Sequence, residues 1–306
     1  MNAIVSNFEP VVNGYFVDSP HDFVLKTKYF ADNTVDFIMS RIKHKIPKLH
    51  KEMLKGESTL YPKTLTDEEQ ESKRLENIER AARRARQAVH HAVRQIGADH
   101  MLTLTTRENI TDRAKFFELW TRFIRLVRTK DLYHGQLITR KDLRHYPYCA
   151  VPEYQERGAF HMHVACVGKQ DIPLLRACWY TALGGQINDT GEDVKGQIDI
   201  RYNPKRFSGE SELFKTFKLV NYLTKYISKS FEASEELGIH RYSKSREIPK
   251  VITHKQFLIA AYSNGNNEFL DAMKEVISIS EFIGVGNDYQ LWNRGLDLFV
   301  LRGTIK

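Results

Sequence analysis

Glu153, Glu156, His161 and His163 lie within eleven residues of one another, in a stretch where metal-binding side chains alternate with apolar ones. His161 and His163 flank Met162 in an apolar run that reads as a strand. Residues i and i+2 of a strand project to the same face, so the two imidazoles point together and Met162 points away into packing. Two adjacent imidazoles can bind a divalent ion. A carboxylate on the preceding strand would complete a set of ligands, because directly opposed residues of an antiparallel pair share a face. A two-residue loop at Arg157-Gly158 would set Glu153 opposite Met162, on the wrong side. A three-residue loop, Arg157-Gly158-Ala159, would set it opposite His163, on the right side, with Gly158 supplying the left-handed conformation that such loops need. Glu156 is the rival ligand, nearer the turn. Two histidines and one carboxylate leave coordination positions open for phosphate and water. Oxygen substrates point to Mg²⁺ or Mn²⁺, and histidine ligation favours Mn²⁺.

A second group lies in Leu219-Val-Asn-Tyr222-Leu-Thr-Lys225-Tyr226-Ile-Ser-Lys229. Tyr222 and Tyr226 are four apart, so on a helix they share one face. Each is followed three residues later by a lysine, Lys225 and Lys229. A phenol of pKa about 10 is a poor nucleophile while neutral. Lysines and a metal would favour the phenolate and neutralise a phosphate. Attack on a DNA phosphate would leave a phosphotyrosine and a free 3′ hydroxyl, a linkage that keeps the bond energy for later rejoining without ATP. A second tyrosine could then attack the next junction. Tyrosine pairs at this spacing also serve simple packing, and lysines line many exposed helix faces. The conjunction with the histidine strand is what directs the reading towards catalysis.

The elements that must position these groups follow a regular order. Apolar residues from Leu75 to Ile96 recur at three- and four-residue spacing, the seam of a long helix with Thr66 and Glu69 as capping box and Gly97 as stop. His100–Thr105 reads as a strand and Asp112–Arg128 as a helix. Tyr148–Glu156 and His161–Val167 read as a hairpin, Ile172–Leu183 as a helix, Gln197–Tyr202 as a strand and Glu212–Phe231 as a helix. This is an α+β chain with a ferredoxin-like split β-α-β arrangement and an antiparallel sheet. Before it, Phe23–Phe30 reads as strand or helix and Thr34–His44 as helix; after it, Lys255–Tyr262 and Glu268–Ile283 read as helices. The expected division is a mostly helical region at 1–97, a catalytic domain at 98–246 and a helical extension at 247–306.

A formal net charge of +8 and a pI of about 9.2 raise the prior for a polyanionic partner. Three cysteines, Cys149, Cys166 and Cys178, form no C-x-x-C pair and sit among apolar neighbours, so buried reduced thiols are expected. Neither a signal peptide at Met1–Val12 nor an apolar run of bilayer length is apparent, which fits a cytoplasmic protein with no membrane partner.

These residues resemble the HUH endonuclease superfamily, named for two histidines flanking a hydrophobic residue, here His161-Met162-His163. The likeness is to the two-tyrosine replication initiators of single-stranded-DNA bacteriophages, microvirus and filamentous types. Met101–Thr106 resembles the family's first-strand motif, Glu153–Val164 its metal motif and Asn221–Lys229 its tyrosine motif. The likeness covers about 99–246. It implies metal ligation by His161, His163 and Glu153, nucleophilic Tyr222 and Tyr226, and motif lysines at Lys225 and Lys229. It also implies nicking of one strand at a replication origin, attachment to the 5′ end, and a 3′ hydroxyl left as primer for rolling-circle replication. There is no G-x-x-x-x-G-K-[ST] loop, so no ATP site is expected, and a separate host helicase and polymerase would be partners. A two-tyrosine transposase of single-stranded DNA or a plasmid relaxase-like nickase would share this chemistry. A non-catalytic basic nucleic-acid-binding module with a ferredoxin-like sheet is the alternative of another class.

Overall fold

The computed structural model describes residues 23–42, 66–155, 158–202, 212–233, 239–258 and 268–305. Glu156, Arg157 and the part of the expected helix beyond Leu258 lie outside the described residues. In chain order the elements are β1 (Phe23–Tyr29), β2 (Thr34–Arg41), α1 (Asp67–Gln95), β3 (His100–Thr106), α2 (Arg113–Thr129), β4 (Lys130–Tyr133), β5 (Gln136–Thr139), β6 (Tyr148–Tyr154), β7 (Phe160–Cys166), α3 (Ile172–Ala182), β8 (Gly196–Tyr202), α4 (Glu212–Ala233), β9 (Ser243–Lys244), β10 (Ile252–Leu258), α5 (Glu268–Phe282), β11 (Val285–Arg294) and β12 (Leu298–Ile305). The mixture is α+β, as the periodicity implies. Contacts divide the chain into a central unit, 72–250, and a second unit formed by 1–71 with 251–306.

The central unit is built on an antiparallel sheet of order β8-β3-β7-β6-β9. β7 lies between β3 and β6, so the β3-α2-β6 passage skips a strand, which is the split arrangement. One face packs Leu102, Leu104, Met162 and Val164 against Phe116, Trp120 and Phe123 of α2 and Trp179 of α3. The other packs Met101, Cys149, Val151 and Ala165 against Val89 and Val93 of α1 and Leu219, Leu223 and Ile227 of α4. Leu223 and Ile227 are fully buried, and each such burial contributes about 1.5–3 kcal/mol.

Local signals set the helix ends. Thr66 and Glu69 form the capping box, with backbone-to-side-chain bonds of 3.0 and 3.2 Å. α1 stops at Gly97 (φ +59), where the N–H groups of Gly97 and Ala98 donate back to the carbonyls of Arg94 and Val93. Asp112 caps α2 by accepting from Ala114 N at 2.7 Å, and Asp171 caps α3 by accepting from Leu174 N at 3.1 Å. The α1 seam is buried only from Ala82 onward; Leu75 is half exposed. The cysteines are free and buried. The β4-β5 hairpin, turning at His134 and Gly135 with positive φ, was not anticipated from sequence.

The flanking segments correct the expected helices. Thr34–Arg41 is a strand because Val35, Phe37 and Met39 alternate inwards with a period of two, and Asp36 is held by Arg302 at 2.7 and 2.9 Å. Ile252–Leu258 is likewise a strand, paired along its length with β1. The second unit is an antiparallel sheet of order β10-β1-β2-β12-β11 whose apolar face, including Phe23, Leu25, Phe299 and Leu301, packs on Phe269, Ala272 and Val276 of α5. The segments at 1–97 and 247–306 are therefore not two helical flanks; strands from both ends make one sheet. No helix among the described residues is long and apolar enough to cross a membrane.

Candidate active site

The alternation of β6 and β7 that buries Val151 and Ala165 places Glu153, His161 and His163 on the same face, towards α4. The register differs from expectation. Glu153 stands opposite His161, and Val151 opposite His163, because the connection runs from 155 to 159. Gly158 (φ +82) closes it, donating its N–H to Gln155 O at 2.8 Å. The face is preserved because the register is displaced by two residues, a whole pleat.

His163 is 4% exposed, so its ring nitrogens need partners. Nε2 lies 2.7 Å from Glu153 Oε2, and Nδ1 lies 3.2 Å from Thr103 Oγ1. Thr103 stands directly opposite His163 in the β3-β7 ladder. Its hydroxyl both donates and accepts, so it serves either tautomer of the neutral ring. Burial lowers the His163 pKa, opposed by the Glu153 hydrogen bond and charge; Arg201 and Lys229 lower it further. Glu153 Oε1 also accepts from Lys229 Nζ at 3.2 Å.

The apolar stripe Leu219, Val220, Leu223 and Ile227 anchors α4 on the sheet and aims the tyrosines at His163. Arg86 of α1 donates to Ser228 Oγ at 3.2 Å and fixes the helix from its other side. The Tyr226 ring stacks on the His163 imidazole, with centroids 4.3 Å apart and planes at 17°. Tyr222 meets the same imidazole edge-on at 5.7 Å, and the two phenol rings are 4.9 Å apart. Lys229 Nζ lies 5.3 Å from the Tyr226 ring centre. Burial, then a hydrogen bond to Tyr222 and the nearby Glu153 charge, raises the Tyr226 pKa well above the ordinary phenol value. Tyr226 therefore does not ionise unaided near neutrality, and cationic charge must offset that cost for it to act as a nucleophile.

Of the sequence-predicted residues, Glu153, His163, Tyr222, Tyr226 and Lys229 are thus joined by contacts. His161 shares their face. Lys225 is exposed, and no hydrogen bond or ion pair ties it to the cluster among the described residues. Thr103 and Arg201 were missed. Both lie on this face by register, Thr103 opposite His163 and Arg201 opposite Met101, a relation that only the strand order reveals. The donor chemistry suits a divalent ion: a neutral imidazole nitrogen and a carboxylate oxygen already converge, with a second imidazole one ladder position away. Among the described residues, however, no three His, Cys, Asp or Glu side chains are gathered into one cluster tight enough to hold an ion. His163 Nε2 faces Glu153 directly, so ligation would require that pair to open around the metal.

Residues 99–231 match a family model described as replication-associated protein ORF2. The match spans less than half of the chain and includes every residue of this site. It supports a replication initiator family and a role in replication initiation. No curated protein and no solved structure matches the chain.

Proposed function

We propose that the chain initiates rolling-circle replication by nicking and rejoining single-stranded DNA at an origin through a covalent 5′-phosphotyrosine. The observation that carries this reading is the convergence of Tyr222 and Tyr226 on His163, at 5.7 and 4.3 Å between ring centres, with Glu153 hydrogen-bonded to the same imidazole. The match to replication-associated proteins favours replication over transposition as the setting.

Glu153, His161 and His163 would hold Mg²⁺ or Mn²⁺, which when bound supplies positive charge to the scissile phosphate. The phenolic oxygen forms the new bond to phosphorus, the bond to the 3′ oxygen breaks, the phenolic proton is released and the 3′ oxygen leaves as a hydroxyl. One phosphodiester replaces another, so the reverse reaction rejoins the strand without ATP. Lys229, held between Glu153 and the Tyr226 ring, offsets negative charge there. Thr103 keeps the His163 ring oriented. Two tyrosines on one face allow one to hold a 5′ end while the other attacks. Unwinding and synthesis fall to a separate helicase and polymerase.

The test is incubation with end-labelled single-stranded origin DNA and Mn²⁺. The expected products are a denaturation-resistant protein–DNA conjugate and a fragment with a free 3′ hydroxyl, both lost on chelation. Cleavage that leaves no DNA on the protein, or no cleavage at all, would overturn the proposal.

A further inference from the structure

A cavity of about 520 Å³ opens on the central unit beside the tyrosine helix. Arg84 of α1, Phe231 of α4, and His240, Arg241, Tyr242 and Lys244 from the segment leading into β9 all line it. Its volume is that of a small-ligand pocket and is sufficient for one nucleotide. No acidic residue is among the described residues that line it. A second cavity of about 550 Å³, at the far end of β3, is instead lined by Glu108, Asp189, Glu192 and Asp193 together with three cations, so the absence of acid at the first is not a property of every concave surface here.

The cations of the first cavity fall into two kinds. Arg241 is buried and fixed: it donates to the carbonyl of Ser230, lies 3.0 Å from Ser230 Oγ, and sets its guanidinium 3.9 Å from the Phe231 ring centre. This makes a planar, positively charged platform of the type on which nucleobases stack. Arg84 and Lys244 are exposed, and neither side chain is in an ion pair or hydrogen bond with a described residue. Their charge is available to an anion at the mouth. Phe231 follows Tyr226 by five residues on the same helix, about 7.5 Å along its axis at roughly 1.5 Å per residue. DNA with its reacting phosphate at the tyrosines has its neighbouring nucleotides within reach of the cavity.

We infer that this cavity takes one nucleotide of the bound single strand flanking the cleaved phosphodiester, its base on the Arg241–Phe231 platform and its phosphate against Arg84 and Lys244. This rests on the reading of the chain as a single-stranded-DNA nickase and assigns it a second contact point outside the reacting centre. Such a contact would hold the strand while the tyrosine linkage forms and reverses.

The experiment measures binding apart from cleavage. In a Tyr222→Phe, Tyr226→Phe background, Arg84→Ala with Lys244→Ala should weaken binding of a fluorescent single-stranded oligonucleotide about ten-fold, and reduce the slope of log affinity against log salt by about 1–2. Both side chains are exposed, so the melting temperature should stay unchanged. An oligonucleotide carrying 5-iodouracil should photocross-link to Phe231 or Tyr242 in the parent. Unchanged affinity and slope, with cross-links confined to other parts of the chain, would overturn the cavity assignment while leaving the nickase reading standing. A parent protein that binds no single-stranded DNA would overturn both.

Discussion

The two faces of the central sheet are made by alternate residues of the same strands and do different work. Towards α2 and α3, Leu102, Leu104, Phe160, Met162 and Val164 are apolar along the whole strand length. Towards α1 and α4, the apolar set Met101, Cys149, Val151 and Ala165 gives way to Thr103, Glu153, His161 and His163. One face stabilises the unit; the other exchanges part of its hydrophobic burial for a polar cluster, which is tolerated because every ring nitrogen of His163 has a partner. A one-residue slip of β7 would exchange the faces and drive both imidazoles into the α2-α3 core, so the packing on the first face fixes the chemistry on the second.

That division can be broken from either side. The largest effect expected is on chemistry alone: Tyr222→Phe with Tyr226→Phe should abolish the covalent conjugate on denaturing gels while the thermal melt stays close to that of the parent. A double variant that still forms conjugate would remove the tyrosine face from the mechanism. Phe123→Ala, on the closed face, should do the opposite and cost about 3–5 kcal/mol in chemical denaturation, through the cavity it leaves among fully buried neighbours. Retained stability there would mean that this face is not the scaffold.

Thr103→Val sharpens the comparison at the boundary between the faces. It keeps the shape but removes the hydroxyl that orients His163. Mn²⁺ affinity, followed by electron paramagnetic resonance, should fall about 10–100-fold with little change in stability. Unchanged affinity would assign the 3.2 Å contact to packing. The smallest effect concerns the shared interior. Burial pushes the Cys149, Cys166 and Cys178 thiols up to about 12, so thiolate forms in the native state only as pH rises towards that value. At pH 9, native protein should resist alkylation by iodoacetamide, whereas denatured protein should react at all three positions; mass spectrometry reads the count.

Much of the central unit was legible because its signals are local. The three- and four-residue seam of α1, the capping residues Thr66, Asp112 and Asp171, and the i,i+4 pair Tyr222/Tyr226 each need only neighbouring sequence to be read. The register of Glu153 was not legible, because it depends on how many residues the connection after Tyr154 takes up, and Gly158 is compatible with several loop lengths. The second unit was misread for a different reason. Its sheet pairs β2 with β12, joining Asp36 to Arg302 across 266 positions, and β10 is too exposed to show an alternating apolar pattern. Thr103 carried no signal by itself; its role appears only when β3 lies beside β7.

The most direct measurement is the identity of the DNA-linked residue. After reaction with single-stranded DNA and Mn²⁺, nuclease and protease digestion followed by tandem mass spectrometry should find the nucleotide adduct on Tyr222 or Tyr226. An adduct on any other residue, with both of these phenols unmodified, would contradict the account.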